Sequence, residues 1–226
     1  MFVHCTKMVW YSTRHGHGAQ VIERRKTRHL HLSRQAIAEA ALDLVDRDGA
    51  SSLSLRNLSR ELGVGTMTLY HYVPSRDDIV RDVIALLLDE IELSAPAGAT
   101  WGEGATAVAR SYRKMALRHP RAFELLASAS NREPPVLDYA RRLRSFYAEL
   151  GAPPDFFEEN WSILDSFETG FLWFETRALL RPAVSTDREL DPETSALAVR
   201  MPATVSEAAY EAGLEILVRG LAARHA

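Results

Sequence analysis

Six side chains able to read a polyanion fall within seven positions, Thr66, Met67, Thr68, Tyr70, His71 and Tyr72, inside the stretch LSRELGVGTMTLYHYVPSRDDIV (58–80). Threonine and methionine can meet a thymine methyl, a threonine hydroxyl can bond a base edge, and tyrosine hydroxyls can reach phosphate oxygens. A polar surface helix without a partner would account for the threonines but not for the clustered aromatics. The apolar residues in between, Leu69 and Val73, fall on the opposite side of a helical wheel, toward Leu58, Leu62 and Val64. A seven-residue helix over 66–72 is unstable by propensity alone. Neighbouring elements must therefore prop it from behind.

Those elements are legible in the pattern. Ser33 caps a helix whose apolar residues Ile37, Ala40, Ala41, Leu44 and Val45 recur at helical spacing until DRDG. Ser54 caps a second helix with Leu55, Leu58 and Leu62 on one face, and Gly63 stands where a helix end takes a left-handed residue. Ser75 caps a fourth, with Asp77 and Asp78 in its first turn. Two short helices joined by GVG, the first apolar on one side and the second largely polar, form a helix-turn-helix.

Beyond SAPAGAT (94–100) the helices lengthen. Trp101, Ala105, Val108, Tyr112, Met115 and His119 share one face. Further helices are expected over 121–129, from Pro134 to Leu150 with a stripe of Leu137, Ala140, Leu143, Phe146 and Leu150, over 155–180, and over 203–224. Residues 181–202 read as a polar loop. No strand alternation or repeat occurs, so the predicted fold is all-α: a three-helix helix-turn-helix domain (33–80) followed by a helical domain (81–226).

Charge is uneven along the 226 residues, whose net charge is −3. Residues 1–34 hold seven Lys/Arg against one acid, whereas 81–226 hold sixteen basic against twenty-two acidic groups. A basic front on an acidic body fits a chain that meets a polyanion at one end, although a solvated basic tail fits equally; residues 1–32 are read as such an arm. One cysteine, Cys5, excludes an internal disulfide framework and suits a reducing cytoplasm. Neither a spanning helix nor a signal peptide is expected. HGHG (15–18) with His4 and Cys5 lacks the spacing of a known metal site, and no metal or cofactor is expected. Nothing resembles a nucleophile elbow, phosphate loop or zinc-protease motif, which leaves an enzyme as a remote alternative.

SLRNLSRELGVGTMTLYHYVPSRDDIV resembles the N-terminal domain of the tetracycline-repressor (TetR) family of bacterial transcriptional regulators. The resemblance rests on the spacing from Leu-Gly-Val to Thr-Leu-Tyr between its flanking helices, over roughly residues 33–80. It implies that Thr66, Met67 and Thr68 face base edges, that Tyr70 and Tyr72 contact phosphate or flank the groove, and that Arg76 reaches phosphate. Arg56 stands where some members read a guanine. Pro74 replaces a basic residue common in the family, which removes one phosphate contact. The implied function is a repressor that binds a palindromic DNA operator as a homodimer and is released by a small, largely apolar molecule.

The second domain must then dimerise the head, gate it, or both. The 155–180 helix, apolar on nearly all sides, and the 203–224 helix, with small residues Ala209, Gly213 and Gly220, are the expected dimer elements. Trp101, Tyr112, Met115, His119, Phe123, Phe146, Trp161, Asp165 and Glu168 are the candidate ligand contacts, aromatic groups with a few polar ones among them. The same stripes would also serve as plain core. Gating by a protein partner or by abundance is the alternative to a small-molecule effector.

Overall fold

The computed structural model describes residues 32–180, 191–200 and 206–225. The basic arm, His4, Cys5 and HGHG lie outside these residues, as does 181–190. Ten α-helices make up the described chain: α1 (Arg34–Asp48), α2 (Leu55–Leu62), α3 (Thr66–Tyr70), α4 (Arg76–Asp89), α5 (Trp101–Arg118), α6 (Phe123–Ala127), α7 (Pro134–Glu149), α8 (Phe156–Leu180), α9 (Pro192–Arg200) and α10 (Glu207–Arg224). None is long and apolar enough to cross a membrane.

The helix starts follow from local chemistry. The hydroxyls of Ser33, Ser54 and Ser75 accept from the backbone N–H groups of Ala36, Asn57 and Asp78, each at 3.1 Å. Each satisfies one of the donors a helix N-terminus leaves open. Thr100 and Glu103 form a reciprocal capping box at the start of α5. Gly63 ends α2 at φ 66°, a left-handed conformation that favours glycine.

Helix α2 packs on α1 and on α3, and α1 packs on α4, which continues past the head to lie against α6 and α7. One helix thus carries the head at its start and the second domain at its end. Behind it, α5 packs on α7, α8 and α10. Gly213 of α10 seats Phe167 of α8; an added Cβ would lie 2.8 Å from that ring, so here the small residue serves packing within the chain.

Three expectations are corrected. Helix α3 stops at Tyr70, and His71 and Tyr72 form a turn before Pro74. The buried face of α7 is Val136, Tyr139, Leu143 and Tyr147, while Leu137 is exposed. The expected stripe favoured leucine and phenylalanine, but two tyrosines turn inward. Within the expected 181–202 loop, residues 192–200 form α9, started by Asp191, whose Oδ1 accepts from the backbone of Glu193 and Thr194 at 3.1 Å.

Candidate nucleic-acid interface and interior cavity

The helix-turn-helix is held from beneath. Leu69 and Val73 are 0% exposed and pack with Leu58, Ile79 and Val83. Ser59, buried on α2, donates to the carbonyl of Arg56 at 3.0 Å and shares a hydrogen bond with the Thr66 hydroxyl at 3.1 Å. Val64 N–H closes the turn onto the Ser59 carbonyl at 3.0 Å. With its backbone so fixed, the five-residue helix and the turn after it present Met67 (73% exposed), Tyr70 (45%) and Tyr72 (39%) outward, with Thr68 and His71 beside them.

Two candidate contacts differ from expectation. Thr66 is half-buried, and its hydroxyl is engaged with Ser59, so it braces the turn. Arg76 donates through Nε to the Leu53 carbonyl at 2.8 Å and through Nη2 to the Ala50 carbonyl at 3.3 Å. That guanidinium ties α4 to the turn between α1 and α2, with only part of its donor set facing solvent. Arg56 is exposed and makes no ion pair or side-chain hydrogen bond among the described residues. Arg47 and Glu61 pair bidentately at 3.1 Å, which neutralises one acid of α2.

Behind the head lie two adjoining cavities of about 60 and 50 Å³ that share Tyr112, Tyr139, Trp161 and Asp165. Leu88 of α4 walls the first; Val108, Leu143, Tyr147, Leu164 and Glu168 wall the second. Burial pushes the Glu168 carboxyl up to about 8, partly opposed by its hydrogen bond with Tyr210. Burial also raises Asp165 above the usual carboxylate range, against weak support from Asn131 and Thr169.

Of the nine candidate ligand contacts, Tyr112, Trp161, Asp165 and Glu168 come together at these cavities. The other five do not. Met115 and Phe123 are core residues, Phe123 meeting the edge of Tyr112 at 6.0 Å. Trp101 packs on Phe156 at 4.4 Å and lines a groove beside α10. Phe146 covers Gly104, where an added Cβ would approach its ring at 3.2 Å. A shared stripe on α5 spans more than one environment, because each turn of that helix faces a different neighbour. Sequence reading missed Tyr139, Tyr147 and Tyr210; the eight-residue spacing of the first two was the available signal.

His119, the fifth misplaced candidate, lies at the junction between head and second domain. Its Nδ1 faces Asp46 of α1 at 2.5 Å, and its Nε2 faces Glu90, at the end of α4, at 3.0 Å. Arg118 also donates to Glu90, at 2.8 Å, and Arg121 donates to the Asp46 carbonyl at 2.9 Å. A neutral imidazole would aim a lone pair at one of the two carboxylates, so the arrangement calls for the doubly protonated ring. The Asp46 hydrogen bond accordingly raises the His119 pKa, against the opposing effect of burial. A raised folded-state pKa means the tie is fully present below the ordinary value near 6.5 and is lost as pH rises through the folded value. Substituting His119→Asn should therefore cost about 1.5 kcal/mol at pH 6, with the difference from wild type shrinking toward pH 9 in urea titrations. A constant difference across that range would contradict the imidazolium.

Fold and site together define a class: an all-helical protein with a propped helix-turn-helix at one end and an aromatic cavity behind it. Residues 37–83 match the family profile "Bacterial regulatory proteins, tetR family", and residues 95–225 match "Tetracyclin repressor-like, C-terminal domain". The chain belongs to the TetR family. It is 31% identical over 121 residues to an HTH-type transcriptional regulator of Saccharopolyspora erythraea, covering 54% of this chain and 50% of that one. It is 29% identical over 125 residues to the HTH-type transcriptional repressor DrrR1 of Streptomyces coeruleorubidus, covering 53% and 45%. The matches thus span about half the length of these curated relatives. Among solved structures, ActR of Streptomyces coelicolor in complex with (S)-DNPA aligns over 85% of this chain and 98% of that one, at 25% identity and a TM-score of 0.67.

Proposed function

We propose that this chain is a DNA-binding transcriptional regulator, a repressor that holds a palindromic operator as a homodimer and releases it on binding a small molecule. The observation that carries the reading is the two-sided third helix and the turn that follows it: Leu69 and Val73 wholly buried, Met67, Thr68, Tyr70, His71 and Tyr72 outward. Base readout falls to Thr68, Met67 and Arg56, with phosphate contacts from Tyr70 and Tyr72 and from the free part of Arg76. Residues 33–80 act as the reading head, 81–226 as the dimerising and sensing domain, and the basic stretch 1–32 adds phosphate attraction. Its place of work is the bacterial cytoplasm.

Dimerisation is assigned to α8 and α10. Ile163, Phe174, Leu179 and Leu180 on α8 and Ile216 on α10 are large apolar side chains left exposed, and a self-complementary four-helix interface would cover them. Two recognition helices set one helical turn apart, about 34 Å, then read a palindrome. For release, a ligand larger than the cavities must part their walls. Leu88 is one of those walls and sits on α4, whose first turns underlie the head. Widening the cavity therefore acts on the helix that carries the reader. Release requires that the ligand prefer the widened state.

Selection of bound duplexes from a random pool tests the reading; a palindromic enriched site is the expected result, and no enrichment would sink it. On that site, Arg56→Ala and Thr68→Ala should each weaken binding by roughly 1–3 kcal/mol while sparing random duplex. Equal losses on both duplexes would remove these two residues from base readout.

A further inference from the structure

We propose that the cavity between α5, α7 and α8 receives an organic cation, an ammonium group on an aromatic or apolar body, with Glu168 and Asp165 as its counter-charges. This rests on the reading of the second domain as a ligand sensor and names the chemistry of what it senses.

The walls are one-sided in charge. Among the described residues the lining holds two carboxyl groups, Asp165 and Glu168, and no lysine, arginine or histidine. Two guanidinium groups approach from outside the walls and are already engaged. Arg113, over the Tyr210 ring, pairs with Glu175, and Arg142, over the Tyr139 ring, pairs with Asp89 and Asp138. An anion would meet no positive partner here, and a purely apolar guest would leave Glu168 with Tyr210 alone and Asp165 with its long contacts to Asn131 and Thr169.

A second observation is independent of the acids. Tyr139 and Tyr147 are 5% and 3% exposed and line the cavity, and their hydroxyls have no hydrogen-bond partner among the described residues. Both hydroxyls keep some accessible surface, and a guest with N–H donors can bond them there. Tyr112 and Trp161 line the same space, which makes its walls largely aromatic, a setting that attracts a cation.

Hydrogen-bond accounting describes how the site waits. The Tyr210 oxygen lies 2.8 Å from the Ala109 carbonyl and 2.6 Å from Glu168 Oε2. A phenol has one proton. If Tyr210 donates to the carbonyl, Glu168 must carry a proton and donate to Tyr210, consistent with a carboxyl raised to about 8 by burial. An entering cation favours the carboxylate, so binding near neutrality should expel that proton.

Isothermal titration calorimetry at pH 7 on the full chain tests this with three compounds of similar size: 2-phenylethylammonium, 2-phenylethanol and 3-phenylpropionate. The ammonium is expected to bind at least tenfold more tightly than the alcohol, with the carboxylate weakest, and its heat should change with the ionisation enthalpy of the buffer as a proton leaves. Glu168→Gln preserves a donor to Tyr210 but cannot ionise. It should fold normally and lose the tenfold preference. Tighter or equal binding of the alcohol or carboxylate, binding of none of the three, or an unchanged preference in Glu168→Gln would overturn the assignment. Duplex binding measured on the same samples separates the two readings. Retained operator binding with the wrong ligand preference sinks the cation alone, whereas ammonium binding without any palindromic site sinks the regulator.

Discussion

Replacing Arg113 with alanine should destabilise the second domain by about 3 kcal/mol, the low end of what breaking a buried ion pair costs. Arg113 donates to Glu175 through Nε at 3.0 Å and Nη2 at 2.7 Å, a bidentate pair between α5 and α8 with side chains 16% and 8% exposed. Removing the guanidinium leaves the Glu175 carboxylate buried and unpaired, and also strips the cation from the face of Tyr210. The low end applies because Arg113 reaches solvent near Glu207, which can admit water to the gap. Urea denaturation of Arg113→Ala against wild type measures the loss. Adding Glu175→Gln to that variant should recover part of it, since the stranded charge is the main cost. A loss below 1 kcal/mol would mean that water replaces the arginine freely.

Leu69→Ala carries the other large effect, about 3 kcal/mol from the head, within the range for truncating a fully buried leucine. Helix α3 has five residues and no stability of its own, so its position depends on Leu69 and Val73 seated beneath it. Loss of that anchor should abolish operator binding through disorder of the reader, without touching any DNA-facing group. Met67→Ala is the matched control. Two positions away in sequence and mostly exposed, it should change stability by less than about 0.5 kcal/mol while still weakening binding. Chemical denaturation and operator titration of both variants check the contrast, and similar stabilities for the two would mean that α3 is held by something other than its inner face.

That contrast between residues 67 and 69 was readable before any coordinates. Helical periodicity separated Leu69 and Val73 from Met67, Thr68 and Tyr70, and the serine caps at 33, 54 and 75 and the left-handed Gly63 took their expected places. Such features depend on neighbours within four residues, where local geometry decides. The cavity was only partly readable. Asp165 and Glu168 stood out because acids in an apolar helix are conspicuous, but Tyr139 and Tyr147 were passed over in favour of Leu137 and Phe146. A tyrosine is amphipathic, and which of its two characters governs depends on what lies across from it.

By itself the sequence determined the all-helical class, the capped helix starts near the head, the outward side chains around the third helix and the family, since all four are written in spacing and in short-range hydrogen bonding; the end of the third helix, at Tyr70, was not among them. Tertiary structure alone decided that Thr66 braces the turn through Ser59, that Arg76 is tied to the Leu53 and Ala50 carbonyls, and that His119 joins the head to the second domain instead of lining the cavity. His119 and Asp46 are 73 positions apart, and their meeting depends on how α1, α4 and α5 pack. A side chain's type limits the bonds it can make; only the packing of distant helices selects which of those bonds it makes.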